Sequence, residues 1–407
     1  MSTDTTEGTT EGGGAGEVVG DRELAFKVPE TLDELRLYLQ GALEVEHLTI
    51  PPYLTAMYTI RAGTNQAALY AIRSIVLEEM LHLTLVANLL NAVGGTPRVA
   101  HPDFVRSYPT RLPYSALDLE IPLRHFSPDA LRTFLAIERP QYVAGDPAPG
   151  STVVTGGWTS IGQFYGHLRQ GLLELLDKHG HDAVFSGPRH RQVGPEDFYN
   201  SGGEVFAVTD RASALKAFRV VTEQGEGVSE SIWDSDDLLF GEQRQTAHYF
   251  RFNEILTGRA YGPHDSPDQP PSGPPVDVTW HDAYRIDPNA SVASFAGHRD
   301  TSVYRHAVAF NACYARMLTY LEAAFTGTPR AMALAIPAML KLRDLAERLY
   351  RNPHPDPVSA AAGCFGSATF EIEPRQFAKA NTETADHLGA ARLTPGEPID
   401  LSGVAAG

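Results

Sequence analysis

Cysteine is nearly absent: Cys313 and Cys364 are the two in 407 residues, with no Cys-x-x-Cys and no Cys/His cluster. That excludes a disulfide framework and a thiolate metal site. Basic residues are in deficit, 33 Lys+Arg against 50 Asp+Glu for a formal charge of −17, which argues against nucleic acid as a partner. No uninterrupted apolar run reaches the ~18 residues of a membrane span. The N-terminus, MSTDTTEGTTEGGGAGEVVG, lacks the basic and apolar regions of a secretory signal. These absences lead to the expectation of a soluble cytoplasmic protein, with no membrane partner and a flexible leader over residues 1–25. No segment alternates with period two for long enough to build a major sheet, and no internal repeat is visible.

What is present is helical periodicity. With 43% hydrophobic residues the chain can bury a substantial core. Thr31 and Glu34 have capping-box spacing, and the stripe Leu32, Leu35, Leu39, Leu43 follows. Pro51-Pro52 then predicts a kink or restart before Tyr53–Ile60 resumes the pattern. A second helix is predicted over Ala67–Val93, stopped by Gly94-Gly95 and Pro97. Residues 98–159 read as a long insertion containing the short helical piece Pro128–Glu138, and insertions of this length usually serve a function. Further helices are predicted over Ser160–Lys178, Asp210–Glu223, Leu238–Leu256, Val303–Phe325 and Pro329–Leu349. The stretch 262–275 reads as a proline-rich loop or linker and the end of the chain as a mixed tail. The organisation expected is a leader (1–25), a metal-binding bundle with insertions (26–258), and a linker plus C-terminal helices packed on that bundle (259–407).

Ionisable residues interrupt the apolar stripes. Continuing the first stripe lands on Glu46. The second runs Ile72, Ile75, Glu79, His82, Val86, Leu89, so that Glu79-x-x-His82 places a carboxylate and an imidazole on one helix face, within reach of one ion. A charge in an apolar seam costs several kcal/mol unless paired or metal-bound. His248 sits in the equivalent seam of a later helix. Three helices thus bring hard carboxylate and neutral imidazole donors, suited to non-haem iron or manganese, and helical bundles hold such ions with inward-facing Glu and Glu-x-x-His groups. The alternative is a metal-free buried Glu–His or Glu–Arg hydrogen-bond network.

The strings LEVEHLTIPPYL (43–54), EEMLHLTLVANLLNAVGGTP (78–97), SIGQFYGHL (160–168), EQGEG (223–227), AHYFRFNEI (247–255) and FNACYARML (310–318) resemble the ferritin-like domain of iminophenylpyruvate dimer synthases, enzymes of bacterial bisindole pathways such as those to violacein and rebeccamycin. The resemblance runs in order from about Leu32 to Glu371. It implies a mainly α, ferritin-like helical bundle with long inserted loops and additional C-terminal helices, carrying a non-haem metal site and oxidative chemistry on small metabolites. Carried over by position, it supports Glu46, Glu79, His82 and His248 as metal ligands and points at Glu226, brought close by the flanking glycines of EQGEG. The sequence departs from a di-iron pattern where glutamates are expected, at Gln163 and Gln245. Either His167 or Glu226 compensates, or the site holds one ion.

Around these, His47 reads as a packing residue or a support for the ligands. Arg251 reads as a substrate-carboxylate clamp or the partner of Glu254 or the preceding acidic segment. Tyr53 and Tyr165 would line a pocket, and Asn311 and Tyr314 would contribute pocket groups or interhelical packing. The expectation is an oxidoreductase with one or two Fe ions (Mn also fits), its chemistry resting on Glu79, His82, Arg251 and Tyr53. It would use O2 or a peroxide on a small amine, imine or amino-acid-derived substrate, with a homodimer as the assembly considered. Iron handling as a ferroxidase, or a metal-free scaffold that binds or cyclises a metabolite, are the alternatives.

Overall fold

The computed structural model describes residues 26–143, 156–199, 202–228, 230–288 and 290–390. The leader expected over residues 1–25 lies outside them. The main helices are α1 (Leu32–Thr59), α2 (Gln66–Ala92), α3 (Pro128–Ile137), α4 (Ile161–His179), α6 (Arg211–Glu226), α8 (His248–Thr257), α9 (Ser302–Phe325), α10 (Met332–Tyr350) and α12 (Pro374–Ala390). Short pieces α5 (His181–Val184), α7 (Asp236–Leu239) and α11 (Pro357–Ala361) lie between them. Among the described residues, β pairing is limited to isolated bridges.

The Thr31–Glu34 capping box closes the start of α1 as the spacing predicts. The helix does not restart at Pro51-Pro52 but runs through both. Two prolines remove the N–H groups that would serve the carbonyls of His47 and Leu48, and the Tyr108 hydroxyl donates to the Leu48 carbonyl at 3.0 Å, so that carbonyl is not left bare in the interior. At the end of α2, Gly94 takes φ +77° and Gly95 N–H returns to the Leu90 carbonyl at 2.8 Å, a left-handed C-terminal cap. Helix α2 is long and apolar enough to cross a membrane by length and composition, yet 94% of its most apolar window is buried inside the protein.

Helices α1 and α2 pack on each other, as do α4 and α6, and contacts of α1 with α4 and of α2 with α6 join the pairs into a bundle. The short helices α3 and α8 pack together and close against α1, α2 and α6. Helix α9 pairs with α10 and carries α12, while α10 touches α1 and α9 touches α2. One hydrophobic cluster runs through both sets, from Leu35 and Val86 to Leu318 and Leu349.

Two sequence expectations change. The helix predicted over Leu238–Leu256 is broken, because α7 stops at Leu239 and α8 begins at His248. Between them Gly241 adopts φ +69°, and Asp234 holds Gln245 by a backbone bond of 2.9 Å and by a carboxylate that accepts the Gln245 N–H at 3.0 Å. The mixed tail contains α12, whose Phe377, Ala380 and Thr384 are buried. The proline-rich stretch 262–275 is a closed loop: the Asp265 carboxylate accepts from the N–H groups of Gly262 and Ser272.

Candidate metal centre

Five side chains from three helices and the end of a fourth meet in the bundle interior. Glu46 comes from α1, Glu79 and His82 from α2, His248 from the first turn of α8, and Glu138 from the residue that caps the C-terminus of α3. None is more than 3% exposed. They form two triads whose donor atoms lie within 4.8 Å of one another, Glu46–Glu79–His82 and Glu79–Glu138–His248, with Glu79 common to both. The His82 Nδ1 lies 3.3 Å from Glu46 Oε2 and 3.7 Å from Glu79 Oε2. The His248 Nδ1 lies 3.1 Å from Glu79 Oε1 and 3.6 Å from Glu138 Oε2. The two imidazoles are nearly parallel, with centroids 5.6 Å apart.

The far nitrogen of each ring is committed elsewhere. His82 Nε2 lies 2.8 Å from Gln224 Oε1, and Gln224 is held in turn through its amide N–H groups by Asp236 at 2.8 Å and the Gly202 carbonyl at 3.0 Å. Since Gln224 presents its oxygen, His82 Nε2 carries the proton. His248 Nε2 lies 2.8 Å from Glu78 Oε2, and Glu78 is gripped by the Arg251 guanidinium, Nη1 at 2.8 Å from Oε1 and Nη2 on Oε2. Arg251 also donates to Ser74 Oγ at 2.9 Å. An acceptor on Nε2 fixes the tautomer and turns the Nδ1 lone pair inward, the arrangement that supports histidine as a metal ligand.

In these neutral tautomers the Nδ1 lone pairs face carboxylate oxygens, and His248 Nδ1 has no hydrogen-bond partner despite full burial. Lone pair against anion in a dry interior is repulsive, so the arrangement requires cations. Without metal, protons must serve. Burial opposes charging His82, but Glu46 and Glu79 outweigh it and push its pKa up to about 10. The same contest, with Glu138, Glu78 and Glu79, raises His248 well above its ordinary value. Burial pushes Glu46 up to about 7, and burial with the charge of Glu79 raises Glu138. Glu79 is held below the usual range: the hydrogen bonds and charges of both histidines outweigh its own burial. Three carboxylates and two inward nitrogen lone pairs make a donor set that fits two divalent cations of the oxygen- and nitrogen-seeking kind.

Two tyrosines fix the outer carboxylate oxygens. Tyr165 on α4 donates to Glu46 Oε1, and Tyr53 on α1 donates to Glu138 Oε1 at 2.5 Å.

Other residues singled out in the sequence lie elsewhere. The Glu226 carboxylate accepts the Gly162 N–H at the start of α4, where burial pushes its pKa up to about 7. Gln163 turns its Oε1 back to Thr159, 2.7 Å from the N–H and 3.0 Å from the hydroxyl. His167 bonds the Gln163 carbonyl at 2.8 Å and packs against Phe26. Gln245 is exposed in the irregular stretch before α8. None of the four joins either triad, so compensation by His167 or Glu226 for missing glutamates does not arise. His47 points away, its Nε2 on the Tyr314 hydroxyl and its ring 4.6 Å from that of Phe104. Asn311 donates to Thr369 at 2.9 Å, which fits interhelical packing. Arg251 pairs with Glu78, not with Glu254, whose carboxylate accepts the Tyr261 N–H.

Sequence reasoning missed Glu138, Glu78 and Gln224. Glu138 ends a visible stripe, Leu131, Phe134, Glu138, in the short helix of the insertion. Gln224 continues Ala217, Val220, Val221 on the buried face of α6, two residues and so about 200° away from Glu226.

A bundle of paired long helices around a buried Glu/His centre defines the class, and sequence comparison agrees. The chain belongs to the ferritin-like family: the family model described as Ferritin-like matches residues 39–257. A 2-imino-3-(indol-3-yl)propanoate dimerase from Chromobacterium violaceum is 34% identical over 168 residues, 41% of this chain. A dichlorochromopyrrolate synthase from Lentzea aerocolonigenes is 27% identical over 323 residues, 73% of this chain. The aligned regions span 15% and 29% of those two relatives' own lengths. Both relatives are named as enzymes, a dimerase and a synthase, in line with the resemblance to the iminophenylpyruvate dimer synthases. Among solved structures, a ferritin-like protein from Caulobacter vibrioides shares the fold at TM-score 0.53 and 22% identity, covering 83% of this chain and 98% of that one.

Proposed function

We propose that this chain is a non-haem metal-dependent oxidoreductase of specialised metabolism, holding two iron ions, or manganese, on Glu46, Glu79, His82, Glu138 and His248. The observation that carries the reading is the pair of triads joined by Glu79, which supplies one imidazole and two carboxylates to each position. The substrate class proposed is a small amine, imine or amino-acid derivative. One relative is named for an amino-acid-derived imine, and that relationship supports the class. O2 or a peroxide would be the oxidant.

When bound, a redox-active metal pair supplies electrons and open coordination positions to an oxidant. The chain supplies the rest. Gln224 and Glu78 hold the histidine tautomers, Tyr165 and Tyr53 hold the outer oxygens of Glu46 and Glu138, and Arg251 keeps Glu78 ionised. Burial of the whole set excludes bulk water and strengthens each of these interactions. The single acid shared by both triads makes Glu79 the residue on which both positions depend.

The test is metal content per chain by elemental analysis, after anaerobic loading with Fe(II), for the natural sequence and for Glu79→Gln. Close to two ions in the first and fewer than one in the second, with both proteins folded, is the expected result. A folded natural protein that retains no metal would overturn the reading and leave a metal-free scaffold.

A further inference from the structure

We propose that a second, metal-independent site lies on the outer face of α9, a cationic groove that binds a small dianionic metabolite, either a phosphate monoester or a dicarboxylate. The inward stripe of α9, including Tyr314, Met317 and Leu321, faces α1 and α2. Arg316, two residues and so about 200° round the helix from Tyr314, looks instead into a groove of about 300 Å³ between α9, α10 and α12. That volume is at the lower end of the small-ligand range. Its floor on α9 is made of Ala309 and Ala312, which leave room for an occupant where larger side chains would fill the space.

The walls are cationic. Lys341 and Arg348 of α10 line one side, Lys379 of α12 the other, and Arg316 reaches up from the floor, with Glu383 as the one acid. The groove therefore carries four positive charges against one negative, in a chain of net charge −17. Glu383 is shared between Arg316 at 3.6 Å and Lys379 at 3.5 Å. Glu347 of α10 takes both Arg343 and, at the helix's C-cap, Arg351. Lys341 and Arg348 have no acidic partner within ion-pair distance among the described residues. Like charges gathered on three helices repel, and a compact dianion is the ligand that relieves that repulsion with charge-assisted hydrogen bonds.

The experiment is calorimetric titration of the full chain with two probes in separate arms, inorganic phosphate and succinate, on the natural sequence and two variants. Saturable binding of at least one probe at one site per chain is expected, and the arm that binds tighter separates phosphate from carboxylate chemistry. Lys341→Ala with Arg348→Ala, both at the solvent-facing rim, should weaken that binding roughly 10-fold or more. Glu383→Gln, which removes the competing acid, should tighten it by roughly 3-fold. The two variants move affinity in opposite directions and leave metal content unchanged. No saturable binding of either probe, or binding that neither variant alters, would overturn the proposal.

Discussion

The strongest test of the centre's supporting shell is Glu78→Gln. Glu78 is 1% exposed and does two things at once: it neutralises buried Arg251 and accepts the His248 Nε2 proton. Burial alone would raise its pKa, but the Arg251 charge and the hydrogen bonds from His248 and Arg251 bring it down to about 2. Against an ordinary value of 4.5, that depression is worth about 3 kcal/mol of folding stability. The sign follows from the direction of the shift. A depressed acid stabilises the fold above its unfolded pKa near 4.5, and the contribution is lost as pH falls through about 2. Glutamine keeps the shape but leaves Arg251 buried without a countercharge, and removing one partner of a buried pair costs roughly 3–5 kcal/mol. With unfolding entropy near 2.1 cal/mol/K per residue over a chain of this length, the midpoint should fall by about 4–6 °C at neutral pH.

The assay is thermal unfolding of metal-free natural and variant proteins between pH 7 and the acid limit of folding. The gap between them should be full at neutral pH and narrow as the solution is acidified below about 4.5. Arg251→Met added to Glu78→Gln should recover much of the loss, because it removes the stranded cation. A variant as stable as the natural protein at neutral pH, or a gap independent of pH, would refute the account of Glu78 as an ionised partner of buried Arg251.

Glu138→Gln should fold, since burial already favours its neutral form, and should bind about one metal fewer per chain than the natural protein by elemental analysis. Gln224→Leu removes the acceptor that sets the His82 tautomer, and titration with Fe(II) or Mn(II) should show affinity reduced roughly 10- to 100-fold. Gly162→Ala would bring a methyl group to 2.3 Å from the Glu226 carboxylate and should cost about 1–3 kcal/mol in chemical denaturation. Adding Glu226→Ala should recover part of that loss while metal content stays unchanged, because Glu226 belongs to neither triad. Tyr108→Phe strips the Leu48 carbonyl of its donor and should cost about 1–3 kcal/mol, again without change in metal content.

The helical architecture was legible because helical periodicity marks α1, α2, α4 and α9, with a capping box opening α1 and a glycine stop closing α2. The acid Glu46 and the pair Glu79/His82 stood out because each breaks an apolar stripe. That logic assumes a polar far side against which the buried face contrasts, and α2 violates it: residues 78–92 are buried without interruption. Glu78, off the stripe, is therefore as deeply buried as Glu79, and periodicity cannot separate the residue facing the centre from the one behind it. What separates them is Arg251, which arrives from α8 after more than 150 intervening residues. Glu138 was hidden differently, at the end of a ten-residue helix inside an insertion whose path no local pattern describes. Gln224 was missed through register: the glycines of EQGEG drew attention to Glu226, whereas the stripe Ala217, Val220, Val221 already placed Gln224 inward. The same stripe rule that located the first three ligands, applied to every helix however short, reaches Glu138 and Gln224 as well, while Glu78 becomes visible only once the packing of α8 on α2 is known.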